Sequence, residues 1–543
     1  MVASPHWNFS MTLNISTQDL LAFLPELILC AAIVFLLVLR LFKYFNYVHL
    51  SWVALGLTVV AFLYALNQWT GNYLDPRSEY TPQPKSLEMF AGLLIYDNFT
   101  IFLRLFLLGF TALILLLALQ TGIPDKEDSA DFSVLLLGAT LGMCIMASSN
   151  HLMMVFIGIE MASLPSYALA GFLKGRRQSS EAALKYVVYG GGAAGVMLYG
   201  ISLIAGKFGT GYLPDVAKNI ADGSLDYMIL LGGLFLLIGI AFKLAAVPFH
   251  FWCPDVFEGA SAEVAGFLSV ASKGAALALL ARFVLVLAGP QSDPHFIVVA
   301  KYLVPTLAFF AAMTATFGNL AAYAQTNLKR LLAYSTIAHA GYMMMGLCAL
   351  TTAGAGAVLF YLVVYLFMNL GAFAIVAYLR NLTNSEDLKD FRGLVYRAPF
   401  LVLTLAVFLL SLLGIPPLAG FMAKFQIFSV IFESARDFGT QGESGLSQTM
   451  YALLVIGGLN TVISALYYIK VLKVMIIDKR LEEVEGRPVE RLKVPFMVQG
   501  YAGILALVLI VLGIFWDGLS DAALTTGVNG FSAPVKSAQR SSP

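Results

Sequence analysis

The chain is poor in charge. Of its 543 residues only 12% are Asp, Glu, Lys or Arg, while 59% are hydrophobic; an average soluble protein carries about 25% charged and roughly 45–50% apolar residues. That excludes a soluble globular protein, and it excludes disorder, because a chain this apolar has ample surface to bury. A balance of 33 basic against 32 acidic residues leaves no polybasic footprint, so no nucleic-acid partner is expected. Cysteine is scarce as well. Cys30, Cys144, Cys253 and Cys348 lie far apart and form no C-x-x-C, which argues against iron–sulfur or zinc ligation. The six histidines show no close pairing suited to haem or metal, and no glycine-rich fingerprint follows a plausible strand. No metal, flavin or nucleotide is therefore expected on this chain. Basic residues are missing ahead of the first apolar run, Arg40 being the first, so that run lacks the positive flank of a signal peptide and reads as a retained span.

What is present is a set of long apolar runs. They fall at roughly 19–41, 47–69, 98–120, 131–148, 151–173, 182–206, 226–250, 263–287, 301–322, 331–350, 355–379, 399–433, 449–474 and 495–516. The expectation is an all-α polytopic membrane protein of about 14 transmembrane helices, surrounded by lipid. With the N-terminus outside, nineteen basic residues fall on inner loops and eight on outer loops and the tail. This is the bias of the positive-inside rule, with both termini on the outer face. The tail after Asp517, rich in Ser, Gly and Ala, reads as disordered.

The remaining six basic residues lie inside the predicted spans: Arg104, Lys185, Lys243, Lys273, Arg282 and Lys424, joined there by Glu26, Glu160 and His339. Each lysine or aspartate at a helix centre costs about 2.5–3.5 kcal/mol on insertion scales, so each needs a reason. Glu160 is followed by Ser163 and Tyr167 at i+3 and i+7, which puts a carboxylate, a hydroxyl and a phenol on one helical face. Lys243 is followed by Pro248, and Lys424 is preceded by Pro416 and Pro417. A proline breaks a helix, and backbone freed at membrane depth is tolerated where it lines a wet cavity. Paired interrupted helices in two halves are the pattern of inverted-repeat transporters. The chain therefore divides into helices 1–3 (1–125), a first five-helix repeat of spans 4–8 (126–290), a second of spans 9–13 (291–475), and helix 14 with the tail (476–543), with broken helices in spans 7 and 12.

Lysine is the apt residue for a proton path. Burial favours its neutral form and a nearby carboxylate its charged form, whereas arginine stays charged. His339, with Ser335 and Tyr342 on its face, suits a relay or a fixed hydrogen bond. Lys185 sits four residues after Glu181, so a local pair competes with a relay role. For Glu160 and the lysines the alternative is a fixed interhelical ion pair. Arg104 and Arg282 suit helix pairing, Glu26 a structural role, and His250 and Trp252 the shaping of the helix break.

The stretches EMASLPSYALAGF, SSEAALKY, FKLAAVPFHFWCPDVFEGA, GNLAAYAQTNLKRLLAYSTIAHAGY and SLLGIPPLAGFMAKF resemble the antiporter-like subunits of respiratory complex I, the proton-translocating NADH:quinone oxidoreductase, and the related cation/proton antiporter subunits. Within that family the chain is most similar to the N-type branch, which has fourteen spans, ends soon after the last, and carries lysine where the M-type branch has glutamate. The resemblance implies a membrane-arm subunit that couples electron transfer from NADH to quinone with proton movement. It implies membrane-arm partners similar to the M, K, J and L subunits, a bacterial-type inner membrane, and NADH, flavin, iron–sulfur clusters and quinone held by partner subunits rather than by this chain. It implies Glu160 and Lys243 as a first pair, Lys273 and His339 as the central link, and Lys424 as the terminal proton site. A subunit of a multi-subunit sodium/proton antiporter is the other reading the shared motifs allow. One departure stands out: the family's GAPTPV reads GASAEV here over Gly259–Val264, so both prolines are gone and Glu263 is added.

Overall fold

A computed structural model describes residues 16–42, 47–74, 86–223, 226–293, 295–479 and 492–529. The stretch 530–543 and several loop lysines and arginines counted in the charge bias lie outside the described residues. The chain is built of helices. They are α1 (Thr17–Ala22), α2 (Leu24–Arg40), α3 (Ser51–Leu74), α4 (Asn98–Thr121), α5 (Ser129–Ser148), α6 (Leu152–Ala170), α7 (Arg177–Phe208), α8 (Leu213–Ala221), α9 (Tyr227–Leu244) and α10 (Trp252–Gly259). Then come α11 (Ala262–Phe267), a π-helical turn (Leu268–Ser272), α12 (Lys273–Ala288), α13 (Phe296–Tyr323), α14 (Leu328–Leu347), α15 (Thr352–Thr383) and α16 (Pro399–Leu413). The last four are α17 (Ala419–Thr440), α18 (Ser444–Ile476), α19 (Phe496–Ile514) and α20 (Asp517–Asn529). A two-stranded antiparallel hairpin, β1 (Leu87–Met89) and β2 (Leu94–Tyr96), precedes α4.

Among the described residues, 11 helices are long and apolar enough to cross a membrane, α11 to α12 counting as one. The runs expected at 19–41, 331–350 and 399–433 also form helices, but α2 spans only 17 residues and α16 only 15, while α14 and α17 are diluted by polar side chains. Helix starts are set by side-chain caps: Asp97 accepts from the Thr100 amide at 2.7 Å, Asn327 from Arg330 at 3.1 Å, and Thr351 from Gly354 at 3.0 Å. Polar residues that cannot continue a buried apolar face thus mark the turns between spans.

The connecting segments gather at two ends of the bundle. At one end Lys174 pairs with Asp128, Asn381 donates to the Thr121 carbonyl, Leu328 donates to the Glu386 carbonyl, and Lys470 donates to that of Tyr323. These are the segments that the charge bias assigns to the inner side. At the other end Leu94 bridges to Ser149, His151 to Tyr212, and Lys301 pairs with Glu443. The centre is formed by Ala262–Ala288 and Thr352–Thr383, whose apolar windows are 83% and 89% buried. Small residues let neighbours approach: a Cβ on Gly142 would lie 2.3 Å from the Ala162 nitrogen, and one on Gly318 would lie 2.6 Å from that of Ala338.

One expectation is overturned. The tail after Asp517 does not begin as a disordered segment, because Asp517–Asn529 is helical and seats against α15. Its small residues permit this, since Gly527 lies so near α15 that a Cβ there would sit 2.5 Å from the Thr352 carbonyl oxygen. The low-complexity composition that reads as disorder is here the composition of a close helix contact.

Candidate functional site

Both proline-marked breaks are present, and each exposes backbone beside a lysine. Helix α9 ends at Leu244, where Ala245 turns left-handed (φ 56°), and the chain resumes as α10 at Trp252. The break is held by Val247, whose amide donates to the Thr314 hydroxyl at 3.0 Å, and by the Trp252 indole, which donates to the Phe242 carbonyl at 2.9 Å. Trp252 is stacked on Tyr186 with ring centres 4.3 Å apart. The expected shaping role of Trp252 is therefore seen directly: its indole is a second donor to the Phe242 carbonyl, which also accepts the Ala245 amide at the break. The second break separates α16 from α17. Gly414 turns the chain at φ 88°, a conformation that favours glycine, and α17 begins at Ala419.

Lys243, in the last turn of α9, is fully buried and donates to the Ser163 hydroxyl of α6 at 2.9 Å. Ser163 in turn donates to the Ile159 carbonyl at 2.6 Å. Glu160 is one turn away on the same helix but half-exposed on the side of the bundle, and it makes no ion pair with Lys243. The two remain within electrostatic reach. The expected carboxylate–hydroxyl–phenol face of Glu160, Ser163 and Tyr167 is thus split: the hydroxyl and phenol face inward, and the carboxylate lies at the rim.

Lys273 opens α12 directly after the π-turn, a distortion that often accompanies functional positions. Its ammonium is 3.6 Å from Cys253 Sγ and lies over the rings of Trp252 and Phe257, at 5.5 and 5.2 Å from their centres. Cation–π contact is a weak substitute for a counter-ion. Lys243 interacts electrostatically with Lys273, so the two lysines form one charged row with Glu160.

His339, on α14, continues the polar line into the second half. Its Nδ1 is 2.8 Å from the Tyr361 hydroxyl and its Nε2 is 3.1 Å from that of Tyr468, which also contacts Ser335. Lys424, on α17, donates to the Leu413 carbonyl at 2.9 Å, the group released where α16 ends, and lies 4.8 Å over the Tyr342 ring. It is within electrostatic reach of His339. Tyr342, Asn319, Tyr467 and Asn460 form a hydrogen-bonded cluster beside it, with Tyr467 donating to Asn319 at 3.0 Å and Asn319 Nδ2 to Asn460 at 3.1 Å. Tyr342 is marked from sequence on the face of His339; Asn319, Asn460, Tyr467, Tyr361 and Tyr468 are additions. Their signal was a phenol or amide at helical spacing inside apolar runs, which composition alone does not separate from core.

The other intramembrane charges are tied to carboxylates. Arg104 donates to Glu26 at 2.6 Å, both buried, and Arg282 grips Asp97 through two nitrogens at 2.8 and 3.1 Å. Lys185 pairs with Glu181 at 2.9 Å and with Asp255 at 2.8 Å, while Arg330 pairs with Asp255 and Glu258. Lys185 thus joins a partly exposed network at the end of the bundle that the charge bias assigns to the inner side. Among the described residues, no group of His, Cys, Asp and Glu is arranged to hold a metal ion.

Residues 149–443 match the family described as NADH:quinone oxidoreductase/Mrp antiporter, transmembrane. The NADH-quinone oxidoreductase subunit N of Anaeromyxobacter sp. (strain Fw109-5) is 40% identical over 447 residues, covering 80% of this chain and 84% of that one. The NAD(P)H-quinone oxidoreductase subunit 2 of Picosynechococcus sp. is 39% identical over 397 residues, covering 72% and 71%. A solved chain of respiratory complex I from Thermus thermophilus superposes with a TM-score of 0.70 at 30% identity, over 92% of this chain and 99% of that one. A chain of the Mrp complex from Dietzia sp. superposes at 0.76 with 17% identity, over 95% and 98%, and shares the fold.

Proposed function

We propose a proton path for this chain, which belongs to the NADH-quinone oxidoreductase subunit N family. As a member it is a proton-translocating subunit of the membrane arm of NADH:quinone oxidoreductase, and a multi-pass membrane protein. Protons pass along Glu160, Lys243, Lys273, His339 and Lys424. The observation that carries this path is the pairing of the buried cations. Among the described residues, Lys243, Lys273 and Lys424 make no ion pair, whereas Arg104 and Arg282 do. The three lysines rest instead on a hydroxyl, a thiol and a carbonyl.

An ammonium buried without a counter-ion is costly, so its protonation responds to any charge that approaches. Glu160, at the rim beside Lys243, is the group placed to supply that change from a neighbouring subunit. Loading of Lys243 repels charge on Lys273, the phenol–imidazole line through His339 conveys the proton, and Lys424 releases it at the second break. The carbonyl of Leu413 and the ring of Tyr342 hold the Lys424 amine without fixing its charge, which is what release requires. Lys185, clamped by two carboxylates, is left outside the path.

Moving each charge against 100 mV costs about 2.3 kcal/mol, and the drive comes from electron transfer between NADH and quinone in partner subunits. The immediate neighbours in the membrane arm are similar to the M, K, J and L subunits, and NADH, flavin, iron–sulfur clusters and quinone are held by other subunits of the complex. In this reading the chain crosses a bacterial inner membrane about fourteen times with both termini on the outer face, and spans 4–8 and 9–13 form two inverted repeats; the positive-inside charge bias supports the orientation.

Replacement of Lys243 by Ala or Glu160 by Ala, with the complex assembled, tests the path: loss of redox-coupled proton uptake in inverted vesicles is expected. Intact pumping in either variant would remove that residue from it. Sodium-dependent proton flux in NADH-free vesicles would favour a cation/proton antiporter instead.

A further inference from the structure

The segment Gly259–Val264, between α10 and the start of α11, contains an unused carboxylate. Glu263, the second residue of α11, has no exposed surface, and neither of its carboxylate oxygens has a hydrogen-bond partner. A buried polar group without partners is rare in a folded protein and calls for a reason. Packing is not that reason, because an ionised carboxylate without donors is among the costliest groups to bury.

The surroundings supply charge rather than hydrogen bonds. Lys329 and Tyr378 lie within electrostatic reach of Glu263. Lys329, itself buried, donates to the Ala260 carbonyl at 2.8 Å, three residues before Glu263, and pairs with Glu386 at 2.9 Å. Arg380 interacts with Lys329 and has a guanidinium nitrogen, Nη1, without a partner. Arg380 and Glu386 line a polar cavity of about 510 Å³ together with Asn381, Ser385 and Asp387, at the end of the bundle assigned to the inner side. Ser261 caps the start of α11 by accepting the Val264 amide at 3.3 Å, and no backbone amide donates to the Glu263 carboxylate. Ten residues further along the same helical run is Lys273, and four residues before it Ser269 accepts a hydrogen bond at 2.6 Å from Asn369 of α15, whose own Oδ1 is left without a partner.

We propose that Glu263 is a proton-uptake site that feeds the lysine row from the inner cavity. The carboxylate takes a proton from hydronium that reaches the Lys329–Glu386 pair, leaving water. The neutral acid then gives the proton along the helical run towards the Lys273 amine, and the carboxylate is restored. The fixed positive charge of Lys329 and Arg380 keeps the anion tolerable between turnovers, and the absence of hydrogen-bond donors keeps the acid accessible. A residue that served only to pair with Lys329 would contact its ammonium, and that ammonium is already engaged by Glu386 and Ala260.

This inference rests on Lys273 being a proton carrier, so both are tested together in the assembled complex. NADH-driven proton uptake by inverted vesicles is measured from about pH 6 to about pH 9, a range over which free protons become scarce, for wild type, Glu263→Gln, Glu263→Asp and Lys273→Ala. The expected result is a severalfold loss for Glu263→Gln that deepens as pH rises, rescue by Glu263→Asp, and loss at every pH for Lys273→Ala. Glu263→Gln following wild type across the range, or Gln and Asp losing equally, overturns the proposal. If Lys273→Ala pumps normally, the earlier reading fails instead. Should Glu263→Gln not assemble, the wild-type complex decides the matter. A hydrophobic carbodiimide should add to the peptide containing Glu263, more at low pH than at high, and absence of the adduct at every pH overturns the proposal.

Discussion

Substitution of Gly420 by Ala should displace Lys424 without touching its chemistry. Gly420 sits at the start of α17, one turn before Lys424, and its amide donates to the Ser411 hydroxyl at 3.1 Å. A Cβ at this position would lie 1.8 Å from the Ser411 carbonyl oxygen, 2.7 Å from its carbon and 2.9 Å from Met368 Sδ. Ordinary contact needs about 3.4 Å or more, so the start of α17 must retreat from the end of α16 by on the order of 1.5 Å. Helix propensity favours Ala over Gly by about 1 kcal/mol, but overpacking against rigid backbone costs typically about 1–3 kcal/mol and here sits at the upper end. The steric effect wins. The same retreat carries Lys424 Nζ away from the Leu413 carbonyl, now 2.9 Å distant. A misplacement of about 1 Å can cost on the order of 10²-fold in a positioned reaction, so proton uptake per NADH oxidised should collapse while the lysine is still present. The assay is NADH-driven quenching of a pH-sensitive dye in inverted vesicles, with NADH oxidation and the amount of assembled complex measured in parallel. Gly191→Ala, at a helical glycine with nothing within 4 Å of its added Cβ, is the matched control. Wild-type coupling in Gly420→Ala would refute the argument that the break positions the lysine.

Three further outcomes follow from the same contacts. Lys424→Arg keeps the charge but cannot release a proton; coupled pumping should be lost in an assembled complex, and a pumping arginine variant would show that Lys424 is electrostatic only. Glu26→Ala leaves the buried Arg104 without its partner and should cost about 3–5 kcal/mol, read as a lower thermal transition of the purified complex. The double change Glu26→Leu with Arg104→Met should recover most of it, and equal losses in single and double variants would contradict the account. His151, just ahead of α6, accepts the Met153 amide at 3.1 Å through Nδ1, and burial holds its pKa below the ordinary 6.5. Its neutral form is the folded one, so its contribution is complete above pH 6.5 and is lost as pH falls through the lower folded value. Hydrogen exchange at Met153, corrected for intrinsic rate, should speed up only in acid, and His151→Ala should remove that dependence.

Much of this was legible in the chain. The broken helices at Pro248 and at Pro416–Pro417 could be read because each proline falls beside an intramembrane lysine; proline alone would not have marked them, since Pro165 and Pro305 lie inside unbroken helices. The intramembrane charges could be read because their cost singles them out from apolar neighbours. What could not be read was partnership. Glu160 and Lys243 sit on different helices, and only the rotation of α6 shows that Ser163, not Glu160, meets the lysine. The phenols of Tyr361 and Tyr468 carry no cost signal, since a tyrosine inside an apolar run is as much core as relay. The tail misled for a related reason: Asp517–Asn529 lacks an apolar stripe, and it seats on α15 through the close approach of its own Gly527 to Thr352 and of its Leu524 to Gly356.

The division between arginine and lysine runs through the whole molecule. Arg104 and Arg282 lie at membrane depth, and each is locked to a buried carboxylate, the latter by two nitrogens. A guanidinium stays charged, so its desolvation must be offset once, in folding, by a permanent counter-ion. Lys243, Lys273 and Lys424 are equally buried but rest against Ser163, Cys253 and the Leu413 carbonyl, groups that accept a hydrogen bond without demanding a positive charge. Had these positions held arginine, neutral partners would have left a permanent charge uncompensated. Had the lysines been paired with carboxylates as Lys185 is with Asp255, the charged form would have been fixed. The combination found, an amine with a neutral acceptor beside a broken helix, leaves both protonation states within reach of a moderate change in field. It is also the combination that a static structural role has no need of.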